Sequence, residues 1–285
     1  MKNSFKIISV IVATLLGIVI QAQSLKAMTY NIRLDIASDG NNAWPFRKDF
    51  FASQIRFYEP DILGIQEAMP HQVVDLEQLL PQYNHVGIGR EGVGKGESSN
   101  IFYKKDKFTI IQTNTFWLSE TPKAISMGWD AACHRVCTYA LFQEAKTNQL
   151  FWVFNTHLDH IGEQARTKGI ELILAQINQL NTLNYPVIFM GDFNSESQEE
   201  RIVALKKVMN DTREVSLEKP FGPVGTFNNF EHDKSVTALI DYIFISKKSN
   251  LKVIKYAVLS DSKDLKYPSD HLPVYVEMGF HKNNN

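Results

Sequence analysis

The chain of 285 residues lacks most of the features that classify a sequence quickly. It carries only two cysteines, so no disulfide framework can staple it, and an ordinary apolar core must hold it together. Neither sign of charge dominates: 30 Lys and Arg stand against 31 Asp and Glu, a formal net charge of −1. The strong basic excess of a non-specific nucleic-acid binder is therefore missing, although a locally basic groove remains compatible with the balance. There is no low-complexity linker, no repeat of 20 to 50 residues and no block of like charge. Long hydrophobic runs are absent except for Ile7 to Ile20, which falls short of the ~20 residues that span a bilayer.

That one run has Lys2 and Lys6 before it and Gln21-Ala22 after it. This is the layout of a secretory signal peptide cut after Ala22. No cysteine follows that would take a lipid. Residues 23–285 are thus expected to form a single soluble domain, secreted or periplasmic, monomeric and without a membrane span. Loss of Lys2 and Lys6 takes the net charge from −1 to −3. Cys133 and Cys137 lie four residues apart. On a strand their Cα atoms would be about 13 Å apart, beyond disulfide reach, so two free, buried thiols are expected.

Strand and helix patterns alternate along the rest of the chain. Strands are predicted at 25–32, 62–65, 101–103, 110–118, 136–142, 151–154, 186–190, 239–245, 251–259 and 272–277. Helices are predicted at 45–58, from Pro70, near 163–181 and near 199–209. The segment Pro186 to Met190 is wholly apolar, as in a strand covered on both faces. Mixing of this kind argues for a layered α/β fold.

The polar residues of interest all sit at strand ends, where side chains can converge on one rim of a sheet. Glu67 follows an apolar strand and suits a hard cation such as Mg²⁺, although a lone acid there would more often be a solvated loop residue. Gly191-Asp192-Phe193-Asn194 follows the 186–190 strand and places an acid and an amide beyond a sharp turn. Asp192 can orient or deprotonate a water, and Asn194 can donate to a phosphoryl oxygen; the rival reading is a helix-capping Asx turn. In Ser269-Asp270-His271 the acid and the imidazole face opposite ways and need separate partners. Asp241 is the best candidate to orient His271 and favour its charged ring. In Asn155-Thr156-His157-Leu158-Asp159-His160, His157 and Asp159 share a face, and His157 could stabilise charge on phosphorus or on its leaving group. Alternatively, His157, Asp159 and His160 could bind a transition metal.

Taken together, Met28-Thr29-Tyr30-Asn31-Ile32, Ile65-Gln66-Glu67, Asn155-Thr156-His157, Gly191-Asp192-Phe193-Asn194, Leu239-Ile240-Asp241-Tyr242 and Ser269-Asp270-His271-Leu272-Pro273-Val274 strongly resemble the endonuclease/exonuclease/phosphatase family with the deoxyribonuclease I-like fold. The chain looks like a secreted, bacterial-type member. The resemblance implies an α/β (α+β) four-layer α/β/β/α sandwich, two packed mixed β-sheets flanked by helices. It implies Asn31, Glu67 and Asp270 around Mg²⁺ (or Mn²⁺), Asp192 positioning the attacking water, and Asn194 binding the scissile phosphate. His271, oriented by Asp241, would contact that phosphate, and His157 would stabilise developing charge. Arg135 could hold a substrate phosphate. Trp129, Trp44 to Arg47 and Phe227 to Phe230 are open between substrate contact and packing. Arg33 stands two residues after Asn31, where some DNA-repair members carry an acid, which argues against abasic-site repair. The implied reaction is metal-assisted attack of water on phosphorus. The phosphoester could belong to a nucleic acid, a sugar or inositol phosphate, or a lipid headgroup. The contrasting reading is a binding module that keeps the fold without the chemistry.

Overall fold

The computed structural model describes residues 24–281, so the expected leader lies outside the described residues. Sixteen regular elements follow one another. The first five are β1 (Ser24–Asn31), α1 (Trp44–Tyr58), β2 (Ile62–Gln66), α2 (Pro70–Leu79) and β3 (Tyr83–Val86). Then come β4 (Ile101–Lys104), β5 (Phe108–Trp117), β6 (Val136–Glu144), β7 (Leu150–His157), α3 (Glu163–Leu180) and β8 (Val187–Asp192). The chain ends with α4 (Glu200–Val208), β9 (Met209–Asp211), β10 (Asp241–Ser246), β11 (Leu251–Val258) and β12 (Val274–Phe280). The short strands β3 and β9, and a 3-10 turn at Ala37–Asn42, escaped the sequence reading because they are too brief to show a period.

The strands form two six-stranded sheets ordered β11-β12-β1-β2-β4-β3 and β5-β6-β7-β8-β10-β9. Each sheet is antiparallel except at its centre, where β1 pairs parallel with β2 and β7 parallel with β8. A parallel neighbour needs a long crossover, and α1 and α3 supply the two. Helices α1 and α2 pack on the outer face of the first sheet through Phe51, Ile55 and Leu76 against Tyr30, Leu63 and Phe102. Helices α3 and α4 cover the second through Ile170, Ile173, Ile202 and Leu205 against Phe154, Phe189 and Phe244. The inner faces meet over Ala27, Ile62, Val153, Ile188, Met190, Ile243 and Val276. This is the expected four-layer sandwich. Among the described residues, no helix is long and apolar enough to cross a membrane.

Strand periodicity then explains where the site lies. Side chains alternate across a sheet, so each central strand sends one row of residues into the gap between the sheets. Along β1 that row runs Ala27, Thr29, Asn31; along β2, Ile62, Gly64, Gln66. Along β7 it runs Val153, Asn155, His157, and along β8, Ile188, Met190, Asp192. The gap therefore changes from apolar to polar toward the carboxyl ends of the four parallel strands. At the changeover the sheets are cross-linked by hydrogen bonds. Gln66 Nε2 donates to Asn155 Oδ1 at 2.7 Å and to Thr29 Oγ1 at 3.0 Å. Asn155 Nδ2 donates to the carbonyls of Ile65 and Asn100, both at 2.9 Å. Gly64 permits this approach, because a Cβ there would lie 2.7 Å from Asn155 Oδ1.

Asn155→Ala removes a group with three partners buried beneath the site and leaves Gln66 Nε2 and two carbonyls short of bonds. The expected cost is about 2–4 kcal/mol, read as a lower urea midpoint at unchanged slope. A loss below ~1 kcal/mol would mean that water replaces the amide without penalty.

Candidate active site

Asn31 sits where the two sheets meet, and its side chain holds one carboxylate from each half of the sandwich. Its Nδ2 donates to Glu67 Oε1 and to Asp192 Oδ2, both at 2.9 Å, while its Oδ1 accepts from the Arg33 backbone N–H at 3.0 Å. The amide thus turns its nitrogen, not its oxygen, toward the carboxylates. In this arrangement Asn31 positions Glu67 and Asp192. Glu67 follows β2 with φ 64°, Arg33 has φ 57° and Asn194 has φ 45°, so three residues of the site occupy the left-handed region that favours glycine. Glu67 Oε2 is held by the Leu34 N–H at 3.0 Å. Gly191 is required in β8, since a Cβ there would lie 2.0 Å from the Thr156 carbonyl oxygen on β7.

The second half of the site is a chain of charged groups. His271 Nδ1 lies 2.8 Å from Asp241 Oδ2, and His271 Nε2 lies 3.8 Å from Asp192 Oδ2. Burial opposes a charge on His271, but Asp241, Asp192 and Asp270 outweigh it and hold the imidazole well above its ordinary value. Burial, followed by repulsion from Asp241, pushes Asp192 up to about 7. Asp270 is also raised, first by burial, against the pull of His271. His157 behaves oppositely. Burial and then Arg135 drive it well below its ordinary value, so the ring is neutral. Its Nε2 lies 3.0 Å from Asn194 Nδ2 and, as the acceptor of that amide, leaves the ring proton on Nδ1. Asn194 is fixed further by donating to the Leu158 carbonyl at 3.0 Å. Asp192 Oδ1 accepts the Asn194 N–H at 2.9 Å, so the expected Asx turn and the expected site are the same structure.

Glu67, Arg135, His157, Asp192, Asn194, Asp270 and His271 all line one cavity of about 540 Å³. Asn31 and Asp241 lie behind its wall, both fully buried. Asp192, Asp241 and His271 also present donor atoms within 4.8 Å of one another. With His271 charged and bound to Asp241, that trio is suited to proton movement rather than to caging a metal.

Several expectations are corrected here. Asp159 does not join His157. Its Oδ1 accepts from the Ile161 and Gly162 N–H groups at 2.9 and 2.7 Å, and its Oδ2 from Ala132 at 3.1 Å. It caps the approach to α3, and its neighbours are Cys133 and His160. The alternative His157, Asp159 and His160 metal cluster is therefore not assembled among the described residues. Cys133 and Cys137 are both free, but Cys133 sits in a loop before β6 and lines the cavity, so only Cys137 is buried. Trp129 packs against the outer core and is absent from the cavity wall, whereas Phe227 and Phe230 are part of it.

Three positioning residues escaped the sequence reading. Arg47 of α1 is 4% exposed and donates to the carbonyls of Ile32, Arg33, Asn42 and Pro268. It ties the loop after Asn31 to the loop before Asp270. Ser269 Oγ donates to the Asn31 carbonyl at 2.7 Å, and Asn155 supports the site from below. Ser269 and Asn155 stood inside the quoted motifs, which was the available signal. Arg47 stood in the Trp44 to Arg47 stretch left open between substrate contact and packing, but nothing local announced that it bridges two loops.

A family model for the Endonuclease/Exonuclease/phosphatase family matches residues 28–271. A solved structure of an endonuclease/exonuclease/phosphatase family protein from Bacteroides thetaiotaomicron is similar with a TM-score of 0.87 and 37% identity, over 92% of this chain and 100% of that one. A mannosyl-6-phosphatase from Bacteroides thetaiotaomicron VPI-5482 is similar at TM-score 0.85 and 37% identity, over 90% of this chain and 100% of that one. Among curated proteins, the CCR4-Not 3'-5'-exoribonuclease subunit of Kluyveromyces lactis is 22% identical over 85% of this chain, but the match spans only 38% of that subunit.

The shifted carboxyl predicts a pH dependence. Folded Asp192 holds its proton up to about 7, whereas an unfolded Asp releases it near ~3.9. The folded state binds more protons between these values, so stability falls as pH rises through them. His271 adds to the fall at higher pH, because its contribution is complete below ~6.5 and is lost as pH climbs through its raised folded value. In chelator, the melting temperature should drop between about pH 5 and pH 8, and Asp192→Asn should flatten the drop. Equal slopes in both proteins would contradict the assignment.

Proposed function

The chain belongs to the endonuclease/exonuclease/phosphatase family, and from that premise we propose that it is a Mg²⁺-dependent phosphatase that hydrolyses small phosphomonoesters outside the cytoplasm. Phosphoester hydrolysis is the activity class of the family. The observation that carries the finer reading is the Asn31 bridge, which brings Glu67 and Asp192 onto one amide at 2.9 Å each.

The donor set suits a divalent cation. Glu67 and Asp270 are oxygen donors on the cavity wall, set beside the buried carboxyl groups of Asp192 and Asp241. Asp241 Oδ1 is buried without a partner. Hard, oxygen-rich sites of this kind favour Mg²⁺, with Mn²⁺ able to substitute. Glu67 and Asp270 would hold the ion, with Asn31 and the Leu34 N–H orienting Glu67. The ion would supply charge neutralisation on a phosphoryl oxygen.

The protein groups divide the remaining work. Asp192, once ionised, orients a water and takes up its proton. The water oxygen forms a bond to phosphorus, the bond from phosphorus to the alcohol oxygen breaks, and the departing alkoxide takes a proton from solvent water to leave as an alcohol, the hydroxide so formed being neutralised by the proton that Asp192 then gives up. His271, kept charged by Asp241, donates from Nε2 to the phosphoryl group and offsets charge that grows in the transition state. Asn194 spends its two Nδ2 hydrogens on His157 Nε2 and the Leu158 carbonyl and gives up one of these bonds to reach the same group. Arg135 lies in the wall with Nη2 3.0 Å from His160 Nδ1 and adds positive charge beside His157. Two observations favour a monoester: the small-molecule size of the cavity and the similarity to a mannosyl-6-phosphatase. The second reading is a nuclease, favoured by the similarity to the exoribonuclease subunit.

The test is hydrolysis of p-nitrophenyl phosphate, bis-p-nitrophenyl phosphate, hexose phosphates and single-stranded RNA and DNA by the purified protein, with Mg²⁺ and with chelator. Monoester turnover that needs Mg²⁺ and falls about 10³-fold or more in Glu67→Ala and His271→Ala is expected. Turnover confined to nucleic acid would favour the nuclease, and activity that survives chelation would sink the metal assignment.

A further inference from the structure

Three arginines line the cavity, and each already has a carboxylate beside it. Arg33 Nε and Nη2 hold Asp39 at 3.0 and 3.1 Å. Arg90 Nη2 lies 2.7 Å from Glu97 Oε1. Arg135 Nε lies 3.5 Å from Asp159 Oδ2. The third pair is structural, because Asp159 is filled by backbone N–H groups. In the first two, both members reach the cavity wall: Arg33, Asp39, Arg90 and Glu97 all line it.

The pairing changes what the wall can recognise. A free guanidinium favours an anion, and a row of them would suit a polyanion such as RNA. A guanidinium neutralised by a neighbouring carboxylate instead offers donors beside acceptors at little net charge. A hydroxyl group is itself both donor and acceptor, so adjacent hydroxyls match such a wall. Arg90 Nε is buried, with Glu91 Oε1 4.0 Å away, and Nη1 has only a weak contact to Cys133 Sγ at 3.5 Å, so Nη1 is the donor this guanidinium keeps for a ligand. The loop bearing the pair does not depend on the side chains to close. Arg90 N–H donates to the Glu97 carbonyl at 2.8 Å, and Trp117 Nε1 donates to the Arg90 carbonyl at 2.7 Å. Also on the wall are Phe227 and Phe230, with Phe227 set edgewise on His271 at 5.1 Å between ring centroids. These rings offer an apolar surface to the C–H face of a saturated ring.

We propose that the Arg90–Glu97 and Arg33–Asp39 pairs read the hydroxyl groups of the leaving alcohol, so that the substrate class is the phosphate monoester of a polyol such as a hexose. This rests on the phosphatase reading above and assigns Glu97 and Asp39 as specificity-determining residues. The phosphate binds at the catalytic end, and the paired side chains bind a neutral, hydroxyl-rich body.

The experiment compares kcat/KM for mannose 6-phosphate and for p-nitrophenyl phosphate, whose leaving group has no further hydroxyl, in wild type, Glu97→Gln and Asp39→Asn with Mg²⁺. The ratio of the sugar phosphate to the aryl phosphate should fall about 10-fold or more in one or both variants, mainly through KM. Having two variants on separate loops guards against one that folds poorly. A smaller change in both overturns the proposal, as does a common loss that leaves the ratio untouched. Wild type that cleaves the aryl phosphate but no hexose phosphate overturns it while leaving the phosphatase reading intact. Wild type inert toward both removes the phosphatase reading and this inference together.

Discussion

One amide group carries the geometry of this site. Asn31 closes β1 in one sheet and donates to Glu67, which follows the neighbouring strand, and to Asp192, which closes β8 in the other sheet. Two carboxylates brought together at the end of a buried gap repel each other and lose hydration. A donor with two hydrogens between them is the minimum that lets the arrangement persist, and everything nearby serves to hold that donor still. Ser269 fastens the Asn31 carbonyl, the Arg33 N–H fastens its Oδ1, and Arg47 secures the next two carbonyls, those of Ile32 and Arg33.

The same constraint accounts for the charges. The inner rows of the central strands are apolar at one end, which welds the sheets together, and polar at the other, which leaves a low-dielectric floor beneath the carboxylates. Their crowding raises Asp192 and keeps His271 protonated, while His157, facing Arg135, stays neutral. Two imidazoles in one cavity thus take opposite protonation states: burial and Arg135 keep His157 neutral, whereas the direct contact with Asp241 overcomes burial at His271.

Much of this was legible in the sequence because it follows local rules. The period of two marked the central strands, and the polar residue closing each one marked the rim. The pairing of His271 with Asp241 followed from the requirement that neighbours on a strand face opposite ways. What was not legible depends on residues far apart in the chain. Arg47 reads as an ordinary helix arginine until Pro268 is folded beside it, 221 positions later. Asn155 and Gln66 read as motif filler until the sheets bring them together. Asp159 was misassigned because its spacing from His157 suits a strand, and the strand ends at His157.

The central proposal is that Glu67 and Asp270 hold a divalent cation beside Asp192, which keeps a proton near neutral pH when the cation is absent. Calorimetric titration of Mg²⁺ into the purified protein at about pH 6.5, in buffers of different ionisation enthalpy, tests it directly. The account predicts saturable binding with proton release, weakened about 10-fold or more in Glu67→Gln, and release abolished in Asp192→Asn. Binding without proton release, or with the same affinity in Glu67→Gln, would contradict it.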